Sequence, residues 1–521
     1  MKLTTRTLAG LLLFLAFLFG TLYRLMPVLQ AGFPLNDGGL FYTMTSDLQE
    51  SNYALPTETT YNRLNIPYSY PPIPFYLAAF VQEITGVELV EIIRWLPVIF
   101  SLLTIPAFFL LAKVLLENDI TAALATLIFA LIPRSYEWII MGGGVTRAPA
   151  TLFLILMIWG AYHLFHRGGW KFWLLTTISG ALIILTHPER SLHAVVSAAL
   201  LWFFFNRSWI GIRRALLVAG GVLLLTSPWW LSVLTRDGWT PFALAFQSGG
   251  QRSLFWSSFL LLDFTDEQIP LIVLLAVIGF SSSLFRKKNF LPFWTILAFL
   301  TDPRSAPHVI SVQTSLLAAL GLSDVILPAL ARLDKPGMSP DSDDDGKYFL
   351  IKRGRWFFGY LLIIMLVNVT LNIQTLGKYV LSENDRSALT WINENTPPES
   401  RFLVLTWRSD AMLTPLLEWF PALSERTNIS TIQGREWLPG KQNFRARLGA
   451  FPYLHACLYE DADCLEQWAA QQDDTFEYVY ISLASNSDQG PQWSALAISL
   501  TQSDSYQVVY QTPEVLIFAK H

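Results

Sequence analysis

From residue 1 to residue 376 the sequence is a succession of apolar runs separated by short charged segments. A helix crosses a bilayer where about 20 mostly apolar residues follow one another, because its backbone hydrogen bonds then close within the segment. Runs of this kind fall at about 7–27, 90–112, 119–133, 148–165, 171–186, 190–206, 213–234, 269–285, 290–301, 308–331 and 356–376. They predict a polytopic α-helical membrane domain of about eleven spans. A shorter apolar stretch at 71–86 reads as a juxtamembrane or re-entrant helix. Composition agrees: 15% of the 521 residues are charged and 52% are hydrophobic, against ~25% charged in a typical soluble domain. This excludes an ordinary soluble enzyme and a disordered chain. The net charge of -4 gives no reason to expect nucleic acid as a partner.

Lys and Arg set the orientation of such a chain. With the N-terminus in the cytoplasm, the inner segments 1–6, 113–118, 166–171, 207–214, 286–289 and 332–355 hold seventeen Lys and Arg. The outer loops 28–89, 134–147, 186–190, 235–268 and 301–307 are more than twice as long in total, yet hold seven. The expected location is therefore a cell membrane, multi-pass, with the C-terminal residues outside. The first span follows the charged start MKLTTRT, has no A-x-A-like cleavage site after it, and is closed by Arg24 and Pro27. It reads as an uncleaved signal anchor.

Residues 377–521 read as a soluble extracytoplasmic α/β domain. Strand-like runs fall at 401–406, 476–482, 506–511 and 515–520. Helices are predicted at 384–394, 410–420, 463–472 and 491–502. Ten basic against eighteen acidic residues make this part acidic. Its Cys457 and Cys464 are the only two cysteines, and an external location permits a disulfide between them.

Three patterns carry less than they suggest. The DSDDDG run at 341–346 opens like a calcium loop, but Lys352 stands where the bidentate Glu belongs. Gly142, Gly143 and Gly144 fit no phosphate-binding fingerprint and read as a tight turn or a close helix contact. Asn428-Ile429-Ser430 is a formal glycosylation sequon.

The remaining unusual chemistry lies in the outer loops. Asp37 follows the first span closely, in FPLNDGGLFYTMTSDL. A carboxylate there suits proton abstraction from a hydroxyl, or metal ligation. It equally suits the N-cap of a helix starting at Gly38. Further along the same loop stand Arg63 and the Tyr70-Pro71-Pro72 entry to the short apolar helix. Other outer turns carry Arg147; His187, Glu189, Arg190 and His193; and Asp302, Arg304 and His308. Arginine suits a phosphate because its planar fork donates two hydrogen bonds at once. Snorkelling at headgroups, or a local ion pair such as Asp302–Arg304, is the competing reading. The loop 235–268 reads as a lid hinged at Gly249 and Gly250, or as an interfacial helix.

An acid early in the first outer loop, followed by a Y-P-P segment before a short apolar helix, resembles the GT-C glycosyltransferases. That class includes protein O-mannosyltransferases, the lipid A aminoarabinose transferase and oligosaccharyltransferase catalytic subunits. The resemblance covers the architecture of the whole chain and, at motif level, about residues 33–80. It implies a sugar donor carried on a polyprenyl phosphate, and it implies that the first-loop acid, Asp37, is the catalytic base. Many members carry two adjacent acids there, whereas Asp37 stands between Asn36 and Gly38. The lone acid disfavours a bound divalent metal and favours monophosphate-donor members as the comparison.

The expectation is a membrane glycosyltransferase that moves a sugar from a polyprenyl-phosphate donor to an acceptor hydroxyl at the outer face, with inversion. Tyr70, Arg63, Arg147, His187, Glu189, Arg190, Arg304 and His308 are the candidate substrate contacts. The acceptor, whether glycan, lipid or protein, is not specified by the sequence. The alternatives are a non-catalytic scaffold of the same fold and a lipid or solute transporter. Transporters tend to show duplicated halves with interrupted helices, and no internal repeat is evident here.

Overall fold

The computed structural model describes residues 5–248, 264–303, 305–334, 348–349, 351–483 and 494–521. Arg304, the acidic run at 341–346 and the Gly249–Gly250 hinge lie outside the described residues. The described N-terminal part is mainly helical. Its elements are α1 (Thr5–Ala31), α2 (Gly39–Glu50), α3 (Ile73–Thr85), α4 (Leu89–Leu116), α5 (Asp119–Leu131) and α6 (Gly144–His166). They continue as α7 (Trp170–Thr186), α8 (Glu189–Phe205), α9 (Trp209–Asp237), α10 (Thr240–Ser248), α11 (Leu271–Phe285) and α12 (Phe290–Thr301). A short α13 (Ala306–Val309) precedes α14 (Ser311–Asp334), and α15 (Lys352–Leu376) ends this part. Among the described residues six helices, α1, α4, α6, α9, α14 and α15, are long and apolar enough to cross a membrane, and several shorter apolar helices accompany them. Large apolar side chains such as Phe14, Leu216, Leu224 and Ile363 stay exposed on the outward faces. That is the surface a polytopic membrane protein offers to lipid.

Arg24 and Pro27 do not close the first helix, which runs on through both to Ala31. Arg24 is fully buried instead. Its guanidinium donates to Ser101 Oγ at 3.0 Å, to the carbonyls of Ala130 at 2.8 Å and Gly20 at 3.1 Å, and to Ser135 Oγ at 3.3 Å. It also lies over the Tyr136 ring at 4.8 Å. A buried charge is tolerated when its donors are satisfied, and here they tie α1 to α4, to α5 and to the 3₁₀ turn Pro133–Ser135.

The C-terminal part adds a five-stranded sheet with helices on it. Its strands are β3 (Arg401–Thr406), β4 (Thr427–Asn428), β5 (Tyr478–Ser482), β6 (Tyr506–Gln511) and β7 (Val515–Lys520), in the order β4-β3-β5-β7-β6. A two-stranded ribbon, β1 (Glu58–Thr59) with β2 (Ile66–Pro67), lies in the first loop. Strand β3 runs parallel to β4 and β5, and β7 runs antiparallel to β5 and β6. The helices are α16 (Glu383–Asn395), α17 (Pro415–Ser424), α18 (Phe444–Ala456), α19 (Ala462–Gln471) and α20 (Ala495–Gln502). The helix expected at 410–420 is displaced: a 3₁₀ turn occupies Ala411–Leu413, and α17 starts only at Pro415. Proline's fixed φ and missing N–H suit that first position. The sequon is buried: Asn428 has no exposed surface, and its Oδ1 accepts from the Ser430 N–H and hydroxyl. The folded domain therefore offers no acceptor amide there.

Cys457 and Cys464 are bonded, with their Cα atoms 5.6 Å apart. Such a short closed loop contributes roughly 2 kcal/mol in the chain-entropy model. Thermal unfolding with and without reductant should show a drop of that order, and Cys464→Ser should reproduce it.

Besides a core of its own in each part, the two share one. Phe33, Leu40, Met44, Tyr61, Tyr68 and Phe75 of the first loop pack with Leu389, Phe402, Leu417, Trp419, Phe420 and Tyr480 in one apolar cluster. Asn62 and Asn428 also exchange hydrogen bonds, at 3.0 and 2.7 Å. The first loop thus folds onto the sheet domain and is held at the end of the bundle that carries it.

Candidate active site

Asp37 lies where the first loop meets the start of α6. Asn36 takes a left-handed φ of 53°, which Asn tolerates better than most residues. The Gly142 N–H donates to the Leu35 carbonyl at 2.9 Å. A Cβ on Gly142 would stand 1.9 Å from the Asp37 carbonyl oxygen. One on Gly143 would stand 2.5 Å from Asp37 Oδ2 and 2.7 Å from Arg147 Nη2. The glycine run therefore exists for close approach of the Asp37 loop. The Gly143 N–H donates to Asp37 Oδ1 at 2.8 Å, and Arg147 Nη2 donates to Oδ2 at 2.6 Å. Both side chains are mostly buried, at 19% and 18% exposure. The carboxylate thus sits at the positive end of α6, reinforced by a cation in its first turn.

Asp37 does not cap α2. The position before α2 is Gly38, and the capping oxygen comes from Glu418 of α17. Its Oε1 accepts from the N–H of Gly38 at 2.8 Å and of Leu40 at 3.3 Å. Burial and the neighbouring Asp37 push the Glu418 carboxyl up to about 8.

A polar chain leads away from this pair. The Tyr70 hydroxyl is 3.3 Å from Thr146 Oγ1 and 2.9 Å from His187 Nδ1. His187 Nε2 is 3.2 Å from Glu189 Oε2. Burial holds the His187 ring below its ordinary range, with Glu189 opposing. Glu189 also faces Asp302, whose carboxyl is raised by burial and by that second acid. Ser305 donates to Asp302 at 2.6 Å and meets His193 Nε2 at 2.7 Å. Arg190 is buried and interacts electrostatically with Glu189, Asp302 and Arg147. Trp138 joins Arg147, at 5.6 Å, to His308, at 5.9 Å between ring centroids. Buried polar atoms with no hydrogen-bond partner among the described residues cluster here: Arg147 Nε, Arg190 Nε and His308 Nδ1.

Asp37, Tyr70, Arg147, His187, Glu189, Arg190 and His308 are therefore gathered at one place, from five separate segments. Arg63 is not among them. It pairs at 2.6 Å with Glu399, a carboxylate left 87% exposed, so its role is a surface tie between the first loop and the sheet domain. Arg304 lies outside the described residues.

Two features were not anticipated from sequence. Glu418 is one; its only signal is a lone acid in the apolar helix PLLEWFPALS. The other lies behind Trp138. Arg134 pairs with Asp266 and, at 3.5 Å, with Glu137, while Asn372 donates to Glu137 at 2.9 Å. Burial and Glu137 push Asp266 up to about 9.

The residues around Asp37 suit an anion better than a cation. Its two oxygens are taken by an N–H and a guanidinium. Among the described residues no three His, Cys, Asp or Glu side chains come together as metal ligands.

The fold is that of the GT-C membrane glycosyltransferases. Residues 69–231 match the family model described as dolichyl-phosphate-mannose-protein mannosyltransferase. The oligosaccharyltransferase AglB from Archaeoglobus fulgidus, in complex with an inhibitory peptide and a dolichol-phosphate, superposes with a TM-score of 0.54 at 13% identity. That match covers 91% of this chain and 69% of the other. ArnT from Cupriavidus metallidurans, bound to undecaprenyl phosphate, gives 0.52 at 14% identity, over 96% of this chain and 97% of that one. The mycobacterial arabinofuranosyltransferase AftD gives 0.54 at 15% identity, over 100% of this chain and 40% of that one. No curated protein matches the chain in sequence.

Proposed function

We propose that this protein transfers a sugar from a polyprenyl-phosphate donor to an acceptor hydroxyl, with inversion, at the membrane face that bears the sheet domain. The positive charge bias of the opposite loops makes that face extracytoplasmic, with about eleven spans below it. The observation that carries the reading is the Asp37–Arg147 pair at the start of α6, 2.6 Å apart and mostly buried. An acid to take a proton and a cation to take a phosphate are in direct contact.

The pairing suggests an order of events. A donor phosphate competes with Asp37 for Arg147, and Arg190 adds a second buried cation close by. Once Arg147 turns to the phosphate, one Asp37 oxygen is released while Gly143 holds the other. The free oxygen accepts the acceptor's hydroxyl proton as that oxygen attacks the anomeric carbon. The bond from that carbon to the phosphate oxygen breaks, and polyprenyl phosphate leaves with its charge stabilised by the arginines. The related structures described with dolichol-phosphate and undecaprenyl phosphate support a lipid-phosphate ligand. Tyr70, His187 and Glu189 line the same place and suit hydrogen bonding to sugar hydroxyls.

The test is binding of undecaprenyl phosphate to the purified protein in detergent, by calorimetric titration. Arg190→Ala should weaken it roughly 10- to 100-fold, the worth of one charge-assisted hydrogen bond. Wild-type affinity in both Arg190→Ala and Arg147→Ala would remove the arginines from phosphate recognition.

A further inference from the structure

The residues on both sides of Asp37 are gripped by the sheet domain. The Asn36 N–H donates to the Tyr379 carbonyl at 2.8 Å, and Asn36 Nδ2 donates to the Met412 carbonyl at 3.2 Å. The Asn36 carbonyl accepts from Trp419 Nε1 at 3.1 Å. On the other side, Gly38 and Leu40 both donate to Glu418 Oε1. A Cβ on Gly39 would stand 2.5 Å from the Glu418 carbonyl oxygen, so backbone meets backbone there. Tyr61 closes the contact by donating to that same carbonyl at 2.8 Å. Asp37 is thus one residue held between two fixed ones, and the fixing groups lie some 380 positions away in sequence.

We propose that Glu418 is a positioning residue for Asp37: by capping α2 from the sheet domain it fixes the Asp37 carboxylate against Gly143 and Arg147, so that the C-terminal domain forms part of the active site. The inference rests on Asp37 as the base. Its chemistry is specific. Glu418 is buried, and burial and the neighbouring Asp37 push its carboxyl up to about 8, which favours an uncharged acceptor at this position. What the site needs from position 418 is then an oxygen of the right reach. Glutamine supplies one; alanine strands two buried N–H groups at the start of α2.

The experiment compares steady-state transfer by the full-length protein and its variants. The donors are dolichyl- and undecaprenyl-phosphate sugars, using any donor that the wild type turns over. Glu418→Ala should lower kcat about 100-fold, the cost of misplacing a reacting group by about 1 Å, with the donor KM changed by less than about threefold. Glu418→Gln should recover kcat to within about threefold of wild type, which a requirement for the acid itself does not allow. Adding Glu418→Ala to Asp37→Asn should slow the enzyme no further, because the first residue acts through the second. Where Glu418→Ala does not fold, Trp419→Phe removes one tie to Asn36 while keeping an aromatic ring, and should lower kcat at unchanged KM.

Full activity in Glu418→Ala, with Asp37→Asn inactive, overturns the inference and leaves the base assignment standing. Glu418→Gln as slow as Glu418→Ala also overturns it, as does unchanged kcat in Trp419→Phe. An active Asp37→Asn, or a wild type that turns over none of the donors, overturns the base assignment instead.

Discussion

Asp37→Asn is expected to lower kcat by about 100- to 10,000-fold, the range seen when a general base is lost. Asparagine matches aspartate in shape, and its oxygen can still accept the Gly143 N–H. What it loses is the negative charge that now pairs with Arg147 at 2.6 Å. Arg147 is then free, so polyprenyl phosphate should bind as well as before or more tightly. Loss of rate with affinity kept or improved separates a base from a residue that only shapes the pocket. Steady-state transfer together with undecaprenyl phosphate titration on the same preparation measures both quantities.

The second large effect is expected at a residue that performs no chemistry. Gly142→Ala places a methyl group 1.9 Å from the Asp37 carbonyl oxygen, a distance no structure tolerates. The obstacle is backbone, so no side chain can turn aside. The loop from Leu35 to Gly38 must shift, and its bond from the Gly142 N–H goes with it. A displacement of about 1 Å costs about 100-fold in rate where reacting atoms must be aligned. The variant should therefore fold and insert yet approach Asp37→Asn in activity. Gly220→Ala is the control, since a Cβ there meets nothing within 4 Å. Rates for both variants, normalised to folded protein, decide the matter. Normal activity in Gly142→Ala would mean that the contact between the first loop and α6 does not hold the reacting group.

The apolar helices are legible because each satisfies its own backbone and needs no knowledge of its neighbours, although among the described residues only six of the runs are helices long enough to span. Runs such as 119–133 and 171–186 thus emerge as α5 and α7 within a few residues. Strands β3, β6 and β7 were likewise readable from their β-rich composition. Asp37 is legible as a candidate, but its two readings cannot be separated locally: Asp before Gly38 has the same sequence whether it caps a helix or faces Arg147. The cap is supplied by Glu418, whose neighbours in the chain say nothing about α2. Arg24 shows the same limit. Read along the chain it ends a span; in three dimensions Ser101, Ala130 and Ser135 receive its hydrogen bonds and the helix continues. Arg63 shows the converse, a loop cation near the motif that is turned toward Glu399. Long-range polar pairing is what local pattern does not carry.

The same contacts join the first loop and the sheet domain in one packed cluster. Their shared apolar cluster holds Asp37 from one side, and the glycine run of α6 meets it from the other. A reacting carboxylate held on rigid elements keeps its geometry better than one on a free loop.

The measurement that tests the central claim most directly is transfer itself. Purified wild-type protein and Asp37→Asn are given dolichyl- and undecaprenyl-phosphate sugars with a range of hydroxyl acceptors, and the released lipid phosphate and the anomeric configuration of the product are determined. The account predicts that the wild type releases polyprenyl phosphate, that the product has inverted configuration, and that Asp37→Asn releases almost none. Retention of configuration, or equal release by the variant, would contradict it.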